Sequence, residues 1–454
     1  MMAKADGYEI GEAMGEDQFW SVDPVIFVQR HASSGFAFTS DAREGADSRL
    51  DGAVSYFGVP VFETKVFFAE GGGVANVEML LYTNGGTESF KEVTTDDGRK
   101  LLARHRVEKK ITRDEFFGIL KVVREKLTKP GAKVPEATTE RVPGDARQKS
   151  QTWAKGAAET RTTLVWNYEQ EGKKTETFKA GFVRVKVAGP KAAKGETPSA
   201  AKGGVKIADN LVKDPRGDVF IDNVPMVDQG QKGYCAAATA ERVLRYFGLE
   251  TDEHDIAQAA DTSAEDGTST LAMKTSVEAI GKRYKLGTTV AYGDFEKSTA
   301  ERIGGLVDEV RVYNKAAKKL RKPEITEDVY IQRSGNMTMY YPNKVDEAMD
   351  PEVRTEMRVN GSQKSGYTKF MKTIREQVSK GIPLFWGVTL GIYPEPGLPQ
   401  TMGGHMRLII GYNDKKKEVL YTDSWGAGHE LKRMPADWAW TISHCLMYMK
   451  PLTR

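Results

Sequence analysis

A low-complexity stretch from Ala188 to about Lys206 divides this chain of 454 residues into two parts of different character. The stretch lacks the large apolar side chains that would offset the entropy cost of ordering a chain, so it predicts a flexible tether. A second polar stretch, residues 129–151, also predicts a linker, although the first is the better domain boundary. We therefore expect a tail (1–15), an accessory domain (16–187), a linker (188–218) and a C-terminal domain (219–454).

The part before the tether carries strand patterns and one helix. Val54 to Phe68 and Val77 to Tyr82 predict strands on either side of a glycine turn, Gly71–Gly73. No strand–glycine loop–helix order supports a phosphate loop there. Thr112 and Glu115 form a capping box that opens a helix. Further strands are expected at residues 163–168 and 175–187, which gives a small α+β domain.

After the tether the order changes to helices first and strands later. The patterns predict an α+β domain in which a helical part packs on an antiparallel sheet. Residues 295–360 are polar and give no clear prediction. The helices are expected at 234–247, 251–260, 270–284 and 367–380, and the strands at 383–389, 405–412, 419–423 and 445–450.

The overall charge excludes some function classes. The 66 basic and 63 acidic residues leave a net charge of only +3, so no nucleic-acid partner is expected. No apolar run approaches the roughly 18 residues of a membrane span. The first residues show no secretory signal.

Cysteine and histidine are sparse. Two cysteines, Cys235 and Cys445, make no disulfide framework, although their number allows a single bridge. The six histidines are scattered and no His-Glu-x-x-His occurs, so neither a metal nor another cofactor is expected.

A glycine-punctuated loop delivers Cys235 to the start of a predicted helix. The first turn of a helix has unpaired N–H groups and a partial positive charge, which favours thiolate over thiol. Ala236, Ala237 and Ala238 would let that helix pack closely in a core. Cys235 is therefore a candidate nucleophile, and a buried, unreactive cysteine is the alternative.

His405 follows two glycines at the start of an apolar strand, where a base could face a cleft. Asp423 ends the next predicted strand, so it could orient the imidazole. Taken alone, each could also be an ordinary residue at a strand end.

These segments together resemble the papain-like cysteine peptidases. Gln229 lies six residues before Cys235, as in the nucleophile motif of that family, and Asp423-Ser424-Trp425-Gly426 is similar to its Asn-Ser-Trp-Gly. The order Gln, Cys, His, Asp also agrees, over residues 219–454. Because the best-known papains have a Trp after the nucleophile and nearby cysteines, which this chain lacks, it is more similar to the bacterial C39-like branch.

The resemblance implies a papain-like fold and a catalytic set of Cys235, His405, Asp423 and Gln229, with Gln229 in the oxyanion hole. Trp425 would shield the His–Asp pair. Substrate contacts are expected at Gly233, Tyr234 and Gly404. Other candidates receive ordinary roles: Gln231 is two residues closer to Cys235, Asn413 and Asp414 form a turn, His429 and His444 are surface or packing residues, and Cys445 is buried.

The expected activity is peptide-bond hydrolysis on a peptide or protein substrate. Another cysteine acyl-transfer enzyme, such as an amidase or a transglutaminase-like protein, and a catalytically silent binding module stay open. The role and partner of the accessory domain are unknown: it could be an inhibitory pro-segment, a docking domain or an anchor. Autocleavage, if it occurs, is expected within 188–206. Localisation is unknown, although the resemblance favours export.

Overall fold

The structure is a computed structural model. The residues it describes are 7–50, 52–69, 71–83, 87–94, 100–107, 110–141, 147–154, 157–170, 178–190, 207–229, 235–249, 270–283, 285–293, 299–334, 337–361, 363–395 and 403–451. The predicted helix at 251–260 lies outside them, as does most of the predicted tether.

The chain forms two compact units. The first unit comprises Met1–Val205, Pro225–Thr268 and Ser424–Glu430. The second comprises Lys206–Val224, Ser269–Asp423 and Leu431–Arg454. The segment that leads to Cys235 therefore belongs to the same unit as the accessory domain.

The described part of the first unit is mostly antiparallel sheet. Its helices are α1 (Ile10–Ala13), α2 (Asp17–Ser21), α3 (Pro24–Arg30), α4 (Arg113–Leu127) and α5 (Cys235–Tyr246). Its strands are β1 (Tyr8–Glu9), β2 (Ala37–Phe38), β3 (Gly45–Ser48), β4 (Val54–Tyr56), β5 (Val59–Pro60), β6 (Glu63–Phe68), β7 (Val74–Thr83), β8 (Thr87–Thr94), β9 (Lys100–Val107), β10 (Thr138–Arg141), β11 (Arg147–Trp153), β12 (Arg161–Glu169) and β13 (Lys179–Ala188).

The main sheet has the strand order β10-β11-β12-β13-β7-β6-β3-β2. Alternate residues of its central strands, including Val66, Val77 and Val185, are fully buried in one core. Helix α4 packs on β13, and the predicted capping box is confirmed: the Glu115 N–H donates to Thr112 Oγ1, and the Thr112 N–H donates to Glu115 Oε2.

The prediction of a linker at 129–151 is wrong for β10 and β11, which are paired strands of this sheet. These strands are polar, but the backbone ladder does not require apolar side chains. Gln148 and Gln151 are nevertheless buried, and Gln151 is held by Arg124 of α4 at 2.6 Å. Side-chain hydrogen bonds here replace the apolar contacts that the sequence lacks.

The second unit combines helices with another antiparallel sheet. Its helices are α6 (Thr270–Arg283), α7 (Thr299–Leu320), α8 (Glu327–Tyr330), α9 (Pro342–Ala348), α10 (Pro351–Thr355), α11 (Lys364–Val378) and α12 (Ala436–Ile442). Its strands are β14 (Leu211–Lys213), β15 (Asp218–Ile221), β16 (Leu286–Tyr292), β17 (Ile331–Ser334), β18 (Met337–Tyr340), β19 (Leu384–Leu390), β20 (Gly403–Asn413), β21 (Glu418–Thr422), β22 (Lys432–Pro435) and β23 (Ser443–Pro451).

This sheet has the order β14-β15-β20-β19-β23-β16, and β21 pairs with both β20 and β22. Strand β19 is buried along its whole length, so it forms the centre of the unit. Helix α11 packs its apolar face, with Phe370, Ile374 and Val378 buried, against the sheet. The expected helix at 367–380 and the four expected strands are present within a few residues of their predicted bounds.

The stretch 295–360, which gave no prediction, contains helices α7 to α10. Their apolar faces are narrow: Val310, Tyr313 and Ala317 of α7 pack against Val353 and Met357 in a small separate core. Because most of each helix surface is exposed and charged, the composition of the stretch hides the periodicity.

Candidate active site

The candidate nucleophile begins helix α5. Cys235 is partly exposed, whereas Ala236, Ala237 and Ala238 are buried, so the small residues do allow close packing. Cys235 and Cys445, both described, are not joined by a disulfide. Gly233, Tyr234 and the rival Gln231 lie outside the described residues.

Gln229 is held by two hydrogen bonds to one residue. Its backbone N–H donates to the Ser424 carbonyl at 2.8 Å, and its side-chain Oε1 accepts from Ser424 Oγ at 2.5 Å. Both side chains are buried. Because Ser424 binds the oxygen of this amide, Nε2 is the end of the side chain that can donate to another group.

His405 lies on strand β20 of the second unit, and Asp423 directly follows the neighbouring strand β21. Strand β20 pairs with β21 in a register that sets Leu408 opposite Thr422, the residue before Asp423. His405 Nε2 lies 2.8 Å from Asp423 Oδ1, and both side chains are almost fully buried. The arrangement fixes the ring and assigns a proton to Nε2, which leaves Nδ1 as the basic nitrogen.

Arg407 extends this pair and was missed in the sequence. It lies two residues after His405, on the same face of β20, and its Nε donates to Asp423 Oδ1 at 3.0 Å. Its two terminal nitrogens bind Glu395 at 3.1 and 3.0 Å, and Tyr421 donates to Glu395 Oε2 at 2.5 Å. A charged residue inside an apolar strand was the available signal, because a buried arginine needs carboxylate partners.

The charge state of Asp423 follows from these contacts. Burial by itself would raise its pKa, but the Arg407 guanidinium and the His405 hydrogen bond outweigh burial and hold the pKa far below the usual range. Asp423 is therefore ionised throughout the neutral range, as an orienting group must be if it is to stabilise an imidazolium.

Other residues singled out in the sequence have the following exposure and contacts. Gly404 is exposed near the start of β20. The Trp425 ring lies edge-on to His429, with centroids 5.7 Å apart. Asn413 donates to Asp218 at 2.6 Å and Asp414 pairs with Arg375, so both serve the hairpin turn and its neighbours.

Two further candidates have contacts or burial that suit ordinary roles. His444 Nε2 lies 2.6 Å from Thr389 Oγ1. Cys445 is fully buried, and burial raises its thiol pKa to about 11.

Two properties of the described residues bear on other functions. None of their His, Cys, Asp and Glu side chains gather in groups of three or more that could hold a metal ion. Within the same residues, no helix combines the length and the apolar character that crossing a membrane requires.

Comparison with known proteins finds a family that part of the C-terminal region resembles. The model of the Peptidase_C39 like family matches residues 310–446, which include His405, Asp423 and Arg407 but begin after Cys235. The predicted resemblance is confirmed for this region, which is similar to the C39-like branch of the papain-like cysteine peptidases. The expected α+β class is confirmed as well.

Among solved structures, the chain is similar to xylellain, a cysteine protease from Xylella fastidiosa. The identity is 13%, over 56% of this chain and 91% of that chain, with a TM-score of 0.23. A likeness at this score does not bear on the site. No curated protein matches the chain.

Proposed function

We propose that the protein is a cysteine peptidase in which Cys235 is the nucleophile and His405 is the base. The observation that carries this proposal is the buried His405–Asp423 pair at 2.8 Å, because it presents one basic ring nitrogen, Nδ1, in a defined orientation. The thiol at the first position of α5 supplies a nucleophile whose anion the helix N-terminus favours.

In the proposed reaction, His405 Nδ1 takes the Cys235 proton and the thiolate attacks a peptide carbonyl. The oxyanion accepts hydrogen bonds from Gln229 Nε2 and the Cys235 N–H, and each such donor is worth about 3 kcal/mol in comparable sites. The imidazolium then gives its proton to the leaving amine. Water attacks the thioester with His405 as base, which releases the acid and restores the thiol.

Arg407 supports this cycle through Asp423. Because the guanidinium keeps the carboxylate ionised, an imidazolium formed at His405 finds a fixed negative charge at Nε2. Ser424 supports it through Gln229, since its hydroxyl binds Oε1 and so turns Nε2 toward other acceptors. The domain bounds 16–187, 188–218 and 219–454 remain part of the proposal.

A peptidyl acyloxymethyl ketone, which alkylates activated cysteines, tests the proposal. We expect mass spectrometry to find one adduct, on Cys235, and no adduct in Cys235→Ala. Cys445→Ala is the matched control and should keep the adduct, because Cys445 is buried. Absence of any adduct in the folded wild type would instead favour the silent binding module.

A peptide-library digest, run with and without an added primary amine, then separates the acyl-transfer activities. Cleavage into two peptides supports the peptidase. Labelling without cleavage, or transfer to the amine as the main product, would contradict it in favour of an amidase or a transglutaminase-like enzyme.

A further inference from the structure

The accessory domain shares a buried charge cluster with the segment that precedes the nucleophile helix. Arg49 follows strand β3, and it is only 8% exposed. Its guanidinium lies 2.6 Å from Asp47 and 3.3 Å from Glu63. The same group reaches Asp228, the residue before Gln229: Nη2 donates to the Asp228 carbonyl at 2.8 Å, and Nη1 lies 3.4 Å from Oδ1.

Arg49 can make these contacts together because its fork has five donors in a fixed plane. Asp47 and Glu63 lie on paired strands, β3 and β6, so the main sheet fixes their positions. The Asp228 side chain also lies close to Gly426, where a Cβ would come within 2.8 Å of Oδ2. Asp228 thus binds Arg49 and lies next to the Gly426 backbone.

Two further contacts join the accessory domain to the same unit. The Arg245 guanidinium of helix α5 lies over the Phe67 ring, 4.9 Å from its centroid. The Asp41 N–H donates to Glu430 at 2.7 Å, in the segment that follows Gly426. Residues of the accessory domain therefore contact Asp228, helix α5 and the segment after Ser424.

We propose that Arg49 of the accessory domain is a positioning residue for Gln229, so that this domain is a working part of the active site and not a removable pro-segment. The proposal rests on the proposed function, because it takes Gln229 as an oxyanion donor. Arg49 fixes the backbone at Asp228, and the next residue carries the amide that must meet the oxyanion. A displacement of about 1 Å at such a donor weakens a hydrogen bond that acts mainly in the transition state.

Arg49→Met tests the proposal with three readouts. We expect kcat for peptide cleavage to fall at least tenfold while KM changes less than threefold. Affinity for a peptide aldehyde, whose adduct carries an oxyanion, should fall in parallel. Alkylation of Cys235 by iodoacetamide needs no oxyanion hole and should change less than threefold.

Hydrogen exchange of the Gln229 amide provides a readout that does not depend on catalysis. This N–H is bonded to the Ser424 carbonyl, and its exchange should accelerate in Arg49→Met. Lys186→Met is the matched control: it removes another ion-paired cation from the same sheet, bonded to Glu78 at 3.8 Å, and should leave all readouts unchanged. If Arg49→Met does not fold, Asp228→Asn serves instead, with a smaller shift because the carbonyl contact remains.

The outcomes are distinguishable. Unchanged exchange, aldehyde affinity and kcat in a folded Arg49→Met would overturn the proposal, as would equal losses in iodoacetamide alkylation and in aldehyde affinity. If the wild type cleaves no peptide and binds no aldehyde, the proposed function fails. Faster Gln229 exchange in the variant would then still establish that Arg49 anchors the segment.

Discussion

A buried arginine binds carboxylates in each unit, Arg49 in the first and Arg407 in the second, and the pKa of the bound aspartate shifts in opposite directions in the two clusters. In the second unit, Arg407 binds Asp423, and the pKa of Asp423 is held far below its usual range. In the first unit, Arg49 binds Asp47, yet the pKa of Asp47 is raised to about 6. In both cases burial is the largest influence and acts to raise the pKa.

The neighbours explain the difference. Asp423 receives hydrogen bonds from two donors, His405 Nε2 and Arg407 Nε, which together outweigh its burial. Asp47 shares Arg49 with two other carboxylates, Glu63 and Asp228, whose repulsion cancels much of the attraction. The comparison teaches that a buried arginine keeps an aspartate ionised only where enough hydrogen-bond donors are available for the carboxylates that share it. A carboxylate that stays ionised in this way suits the orienting role proposed for Asp423.

Arg407→Met should produce the largest effect, a loss of unfolding free energy, because it removes the cation that keeps Asp423 ionised. The change leaves Asp423 and Glu395 buried without their cation, and a broken buried pair of this kind costs about 3–5 kcal/mol. Denaturant unfolding should show this loss near neutral pH. An unchanged unfolding free energy would mean that the cluster does not hold the charges as described.

Asp423→Ala should lower kcat by roughly a hundredfold or more, because His405 loses the partner that fixes its ring. Asp423→Asn is the informative control, since the papain-like relatives that this chain resembles have Asn at this place. We expect the Asn variant to lose less activity than the Ala variant in a peptide-cleavage assay, because its amide oxygen still orients the ring although the charge that stabilises the imidazolium is gone. Equal losses in both variants would show that charge, and not orientation, is what His405 needs.

Asp47→Asn should raise stability at pH 7.5 but not at pH 4. The folded protein holds a proton on Asp47 that the unfolded chain releases between about pH 4 and 6, so the contribution of Asp47 to stability falls as pH rises through this window. The shift corresponds to at most about 3 kcal/mol. Unfolding free energies of wild type and variant should converge at pH 4; a constant difference across the window would contradict the raised pKa.

Ser424→Ala should have the smallest effect. It removes the hydroxyl that binds Gln229 Oε1, which is worth about 0.5–1.5 kcal/mol and therefore a few-fold in kcat if Gln229 turns away from the oxyanion. The backbone bond from the Gln229 N–H remains, so KM should hardly change and the unfolding free energy should fall by no more than about 1.5 kcal/mol. A loss as large as that of Asp423→Ala would assign Ser424 a larger role.

The sequence predicted the local elements well, since capping residues and apolar periodicity act over a few residues. Thr112 and Glu115 predict the start of helix α4, and the apolar run after His405 predicts strand β20. The order of the Gln, Cys, His and Asp motifs also predicted the resemblance to the C39-like family. The contacts of Arg407 and Arg49 could not be predicted in this way, because local patterns do not fix contacts between segments. Asp228 is 179 residues from Arg49, and Glu395 lies outside the strand that carries Arg407.

A crystal structure of the wild type tests the central claim most directly. The account predicts that Cys235 Sγ and His405 Nδ1 lie within about 4 Å, near hydrogen-bond reach, with His405 Nε2 still bonded to Asp423. A sulfur that points into the core of its own unit, away from the imidazole, would contradict the proposed nucleophile and base.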